Sequence, residues 1–151
     1  MASRRKRSRT RSAASLERRD AARLASVTFF LDYQIGRYVV AGALRAAGAN
    51  VEVHLDHFAQ NAPDAEWIPK VGQREWILIT KDQHIRRNPL ERAAYEAAKL
   101  RGFVVTGKDM DGKELAELLV RCLPGMVRRS AGRNGPSMFT ISGGGMFAKL
   151  F

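Results

Sequence analysis

Cysteine is nearly absent: Cys122 is the only one among 151 residues. That excludes a disulfide framework and a cysteine-built zinc site. No apolar run approaches the ~20 residues that span a bilayer, so no membrane partner is expected. No period recurs, which removes collagen, coiled-coil and repeat architectures. Acidic residues are missing from both ends: residues 1–11 and 126–151 hold none. Residues 1–25 carry nine Arg/Lys against two acids, and 126–151 carry four basic residues. Residues 27–125, by contrast, carry thirteen of each sign. The net charge of +11 therefore sits at the ends of the chain, and a uniformly basic surface is excluded.

Met1 to Arg11 reads MASRRKRSRTR. It is too poor in apolar residues to offset the entropy of ordering it. Residues 1–25 are thus expected to form a basic, flexible extension, with a short helix over 15–25. The extension reads either as a solvated tail or as a non-specific nucleic-acid arm. Arg4-Arg5 invites an export-signal reading. Glu17, Arg18, Arg19, Asp20 and Arg23 then occupy the stretch that should be apolar, so the expected location is the cytoplasm.

From residue 26 the pattern changes to one domain, expected over 26–151 with its core at 27–123. Val27–Leu31, Asn50–Leu55, Trp76–Thr80 and Phe103–Thr106 are rich in β-branched, aromatic and aliphatic residues and read as strands. Helical spacing is expected over Ile35–Ala47, Asp64–Gln73 and Pro89–Arg101, and from a cap at Asp111 through Leu123. Asp64 is expected to cap its helix, Pro69 to disturb it, and Pro124-Gly125 to end the last helix. Leu90, Ala93, Ala94, Ala97 and Leu100 are expected to share a buried face. Alternating strands and helices indicate an α/β fold with a mainly parallel sheet of about four strands. Met138–Ser142 and Met146–Phe151, flanking Gly143–Gly145, read as a C-terminal β-hairpin over 137–151.

Asp32 ends the first strand, and Asp82 follows the third by two residues. Ligands of open α/β sheets bind outside the carboxyl ends of the strands. Asp64, at the start of the helix before the third strand, can reach the same edge, with Glu66 as the alternative from that turn. Three carboxylates repel unless a cation joins them. Mg²⁺ or Mn²⁺ suits oxygen ligands and assists phosphodiester hydrolysis. Each acid also has a plainer reading, because Asp after a strand caps the following turn and Asp64 caps a helix.

The segments F-F-L-D-Y, N-A-P-D-A-E-W-I and W-I-L-I-T-K-D-Q-H-I-R-R-N-P-L-E-R resemble the PIN-like domains of VapC-type toxins, from about Val27 to Leu123. The resemblance implies a three-layer α/β/α sandwich and a Mg²⁺- or Mn²⁺-dependent endoribonuclease that cleaves RNA to leave a 5′-phosphate and a 3′-hydroxyl. It also implies a cognate antitoxin protein as partner. Metal binding and catalysis fall on Asp32, Asp64 and Asp82. At one point the sequence departs from the pattern. Many PIN domains carry another acid between the first strand and the central acid, and only Glu52 and Asp56 are candidates here.

Around these acids, Thr80 is a candidate support for Asp82 or a metal-bound water, and Glu66 a second support. His84, Arg86 and Arg87 are candidate contacts to RNA phosphates. For His54 and His57 local hydrogen bonding is the expected role; Trp67 and Trp76 read as core, and Cys122 as inert. The alternative to a nuclease is a catalytically weak or inactive PIN-like nucleic-acid-binding module. A phosphoacceptor domain is disfavoured, because paired acids after the first strand are missing. A homodimer is compatible with the sequence.

Overall fold

The computed structural model describes the backbone of residues 2–151 and the side chains of 13–151. The flexibility expected of residues 1–11, and any role for their arginine side chains, lie outside the described residues. A helix, α1, runs Ala2–Ala25 and contains the shorter one expected over 15–25.

Strands β1 (Thr28–Leu31), β2 (Asn50–Val53), β3 (Ile77–Thr80), β4 (Arg101–Val105), β5 (Ser137–Ile141) and β6 (Phe147–Lys149) form one sheet in the order β2-β1-β3-β4-β5-β6. The first five are mutually parallel, and β6 returns antiparallel beside β5. The expected hairpin is present, but β5 also joins β4 in parallel. The sheet therefore has six strands where the sequence suggested about four.

Side chains alternate across this sheet as period 2 requires. Phe29, Leu31, Ile77, Ile79, Phe103 and Val105 face one core. Helices α2 (Val39–Ala46) and α5 (Gly112–Ser130) close that side. Phe30, Leu78, Val104 and Met138 face the other, under α3 (Asp64–Gln73) and α4 (Pro89–Ala97). The arrangement is the expected three-layer α/β/α sandwich. Among the described residues no helix is long and apolar enough to cross a membrane.

Several element expectations need correction. The helix expected from Ile35 starts only at Val39, because Gly36 takes φ +93° after a short 3₁₀ turn at Tyr33–Ile35. Helix α4 ends at Ala97, and Lys99 turns the chain at φ +53°. Gly102 is therefore not a helix stop but a residue of β4. A Cβ there would lie 2.9 Å from the Leu78 carbonyl oxygen. The buried face of α4 is Tyr95 with Ala94 and Ala98, and Leu90 points to solvent. Helix α5 runs through Pro124-Gly125 to Ser130, because Gly125, Met126, Val127 and Ser130 are buried and hold the last turns in place.

Candidate active site

Adjacency of β1 and β3 builds the site. Leu31 pairs in register with Ile79, so the next residue on each strand, Asp32 and Thr80, emerge side by side at the carboxyl edge. The Asp32 backbone N–H donates to the Ile79 carbonyl at 3.1 Å. Thr80 is fully buried. Its hydroxyl donates to Asp32 Oδ2 at 2.5 Å and accepts from the Asp82 backbone N–H at 2.9 Å. One side chain thus ties the two strand-end aspartates together. Each also caps its following turn: Asp32 Oδ1 accepts from Gln34 N and Asp82 Oδ1 from His84 N.

Asp64 does not cap α3. Pro63 occupies the cap position, and Asp64 is the first helical residue. Its Oδ1 instead accepts the indole N–H of Trp67 at 3.0 Å. That bond fixes the carboxylate one turn below an aromatic ring that is itself buried against Phe30 and Tyr95.

Electrostatics shows which acids gather. Burial holds the Asp32 carboxyl above the usual aspartate range, against the opposing bonds from Thr80 and Gln34, and the charge of Asp82 adds to the rise. Burial also raises the Glu91 carboxyl, with Asp82 and Asp64 pushing the same way. The Tyr95 phenol, one turn on in α4, is raised by burial and then by Asp64, Asp32, Asp82 and Glu91 together. Four carboxylates therefore lie within electrostatic reach of one buried tyrosine. Glu91 is the member that the sequence pattern did not single out. Glu91 Oε2 is buried and has no hydrogen-bond partner. A signal existed in the N-P-L-E-R segment, but a Glu in the first turn of a helix is fully explained as a partner of the helix dipole.

The other candidates divide. His84 acts electrostatically on Glu91. Arg86 and Arg87 are exposed and form no ion pair among the described residues. Glu66 is exposed in the first turn of α3 and is not among the charges acting on Asp32, Glu91 or Tyr95. The two candidates for an early acid are engaged elsewhere: Glu52 with His57 at 2.7 Å and Asp56 with Arg37 at 2.6 Å. His57 is locally bonded, as expected. His54 is not: it is buried, its Nδ1 has no partner, and burial lowers its pKa while nearby Asp32 opposes the fall. Trp67 is core, Trp76 is half-buried against it, and Cys122 is buried.

Among the described residues, no three His, Cys, Asp or Glu side chains stand close enough, as placed, to share one metal ion. None of Asp32, Asp64, Asp82 and Glu91 has a Lys, Arg or His salt-bridge partner there either. The edge carries several negative groups, one of them deeply desolvated, and among the described residues no protein cation pairs with them at salt-bridge distance.

Residues 27–107 match the family model described as PIN like domain. A protein of Mycobacterium tuberculosis (strain ATCC 25618 / H37Rv) bearing the name "Putative ribonuclease VapC45" is 30% identical over an alignment covering 74% of this chain and 83% of that protein. No solved structure matches.

Proposed function

The chain belongs to the PIN-like domain family, and from that premise we propose that it is an endoribonuclease that uses a divalent cation, acting as the toxin of a toxin–antitoxin pair. Its substrate is RNA, its partner a cognate antitoxin protein, and its place the cytoplasm. One observation carries the reading. Asp32, Asp64, Asp82 and Glu91 act on a common buried point at the carboxyl edge, and none of them has a salt-bridge partner among the described residues.

The donors suit Mg²⁺ or Mn²⁺. All four are hard oxygen ligands, and Glu91 Oε2 is a buried acceptor without a partner. Mg²⁺ needs only one or two direct carboxylates and keeps several waters. The spread of the carboxylates is therefore compatible with it. Asp32, Asp64, Asp82 and Glu91 would hold the ion. When bound, it supplies a bound water of lowered pKa and neutralises charge developing on the phosphate.

The protein's own groups do the positioning. Thr80 holds Asp32 and the Asp82 backbone in fixed relation. Tyr95 packs on Trp67, whose indole N–H holds the Asp64 carboxylate. His84, Arg86 and Arg87 lie beside Asp82 and supply donors for substrate phosphates. The non-cutting alternative rested on a missing early acid, and Glu91 now offers a fourth carboxylate from a later element.

Purified protein is expected to cut end-labelled RNA with Mg²⁺ or Mn²⁺ and to stop with EDTA. Asp32→Asn and Asp82→Asn should each lower the rate by more than the about 10–100-fold that removing a residue behind the metal ligands costs. Cleavage at wild-type rate by both variants, or cleavage that ignores EDTA, sinks the assignment.

A further inference from the structure

The opposite end of the sheet carries a cleft of about 900 Å³ that no part of the proposed chemistry uses. It opens where β1, β3, β4 and β5 begin, and Ser26 and Val27 at the root of α1 form part of its wall. Its floor is made of closely packed backbone. A Cβ at Gly72 would lie 2.3 Å from the Ala98 carbonyl oxygen, and one at Gly135 would lie 2.0 Å from that of Lys99. Such a floor cannot collapse without moving the strands' entry turns.

Its walls are basic. Lys99, Arg101 and Arg133 line it against one carboxylate, Glu75. Four helices, α1, α3, α4 and α5, end at this edge, and their carbonyl ends are negative. Arg101 answers that charge, donating to the carbonyls of Glu75 and Ser130 at 2.6 Å each. Lys99 and Arg133 are left over: both are exposed, and neither forms an ion pair among the described residues. Lys99 also holds φ +53°, a conformation for which glycine is the unstrained choice. The chain keeps a lysine where its backbone would prefer none. The same rim carries the root of α1, whose segment holds nine basic residues against two acids.

We propose that this cleft is a second RNA site, which grips the phosphate backbone of the substrate strand at the pole opposite the carboxylates. The proposal rests on RNA being the substrate. β4 alone, five residues long, separates the two poles by about 17 Å at ~3.3 Å per residue. A mononucleotide cannot reach both, whereas a strand of several nucleotides can. The carboxyl end of the sheet cuts, and its amino end holds.

The test uses the full chain carrying Asp82→Asn, so that the probe stays whole, with a fluorescent single-stranded RNA of about 20 nucleotides, long by the per-strand spacing of ~3.4 Å. Lys99→Glu with Arg133→Glu should weaken binding at least about tenfold. It should also flatten the log–log salt slope by about 1.4, at ~0.7 for each phosphate no longer neutralised. Lys99→Gly is the second variant. It relieves the backbone and removes the charge, so it should melt no lower than the parent yet bind RNA less well. Lys99→Arg should retain affinity. Unchanged affinity and slope in the charge-reversed protein overturn the proposal. So does a loss confined to duplex DNA. So does competition by inorganic phosphate far beyond chloride at equal ionic strength, which marks a free-anion site. Binding is read without cleavage. If the otherwise wild-type chain cuts no RNA while Lys99→Gly still loses affinity, the nuclease reading fails and the second site stands.

Discussion

Asp32 carries the tension of the site in one residue. It must be ionised to hold a cation, yet it is set where burial favours its neutral form. Its folded-state pKa lies above the unfolded value, so the ionised carboxylate costs stability at neutral pH. That cost fades as pH falls through the folded pKa toward the ordinary value of about 3.9. Asp32→Asn removes it and leaves one oxygen to accept from Thr80, at the cost of the weaker bond from Gln34 N. The variant is expected to melt above wild type at about pH 7, with the gap closing on acidification; each kcal/mol relieved corresponds to about 2–4 °C. Thermal melts across pH check this, and a variant that melts below wild type throughout would contradict it. Asp32 and Asp82 were legible as candidate site residues because strand ends on a parallel sheet share one edge. Glu91 was not, since its position at a helix start has a sufficient local explanation. Only the packing of α4 against α3 and the 3₁₀ turn Gln83–Arg86 that follows β3 gives that side chain a buried oxygen with no partner.

Helix α4 shows how an element can be foreseen and its orientation missed. Pro89 and the Asn88 cap start it where the sequence pattern places it. The leucine and alanine stripe, however, held only in part: Ala94 and Leu100 pack in the core, Leu90, Ala93 and Ala97 are exposed, and the buried Tyr95 was outside the apolar count. In the fold Tyr95 is 3% exposed and Leu90 81%. The tyrosine ring packs edge-on to Trp67, within electrostatic reach of the carboxylates. Tyr95→Ala should therefore cost about 3–5 kcal/mol, as large aromatic truncations do. Leu90→Ala should stay within about 0.5 kcal/mol. Denaturant unfolding of the two variants decides between the faces, and comparable losses would restore the leucine stripe. Helix α5 teaches the same lesson at Pro124. A proline removes one donor, but the burial of Met126 and Val127 beyond it outweighs that local defect.

Across the whole molecule, charge is sorted by pole and by segment. The acids that matter lie at the carboxyl ends of the strands, with Arg86 in the turn after β3 and Arg87 the residue behind it. Lys99 and Arg133 lie at the amino ends, and residues 1–25 carry the largest basic excess. Electrostatic affinity for RNA should then belong largely to the amino pole and to residues 1–25, and chemistry to the carboxyl pole. Replacing Arg4, Arg5, Lys6, Arg7, Arg9 and Arg11 together with glutamine is expected to flatten the salt dependence of RNA binding by about 0.7 in log–log slope for each phosphate those residues neutralise. The cleavage rate at saturating RNA should change little. Filter binding over a salt series measures the first, and single-turnover kinetics the second. A collapse of the saturated rate would place the segment in the chemistry instead.

Local periodicity, composition and chain order were enough to establish the alternation of strands and helices and the charged ends. They also excluded membrane spans, disulfides and repeats, and they put two aspartates at strand ends. None of this needs knowledge of spatial neighbours. Long-range packing was required to set β1 beside β3, so that Thr80 joins Asp32 to Asp82. It also brought Glu91 and Tyr95 under the same edge, extended the parallel sheet through β5, and opened the basic cleft at the far pole. Those features depend on strand order and on which helix face is buried. Both are settled by residues distant in the chain, where burial of a whole face outweighs the preference of any one turn.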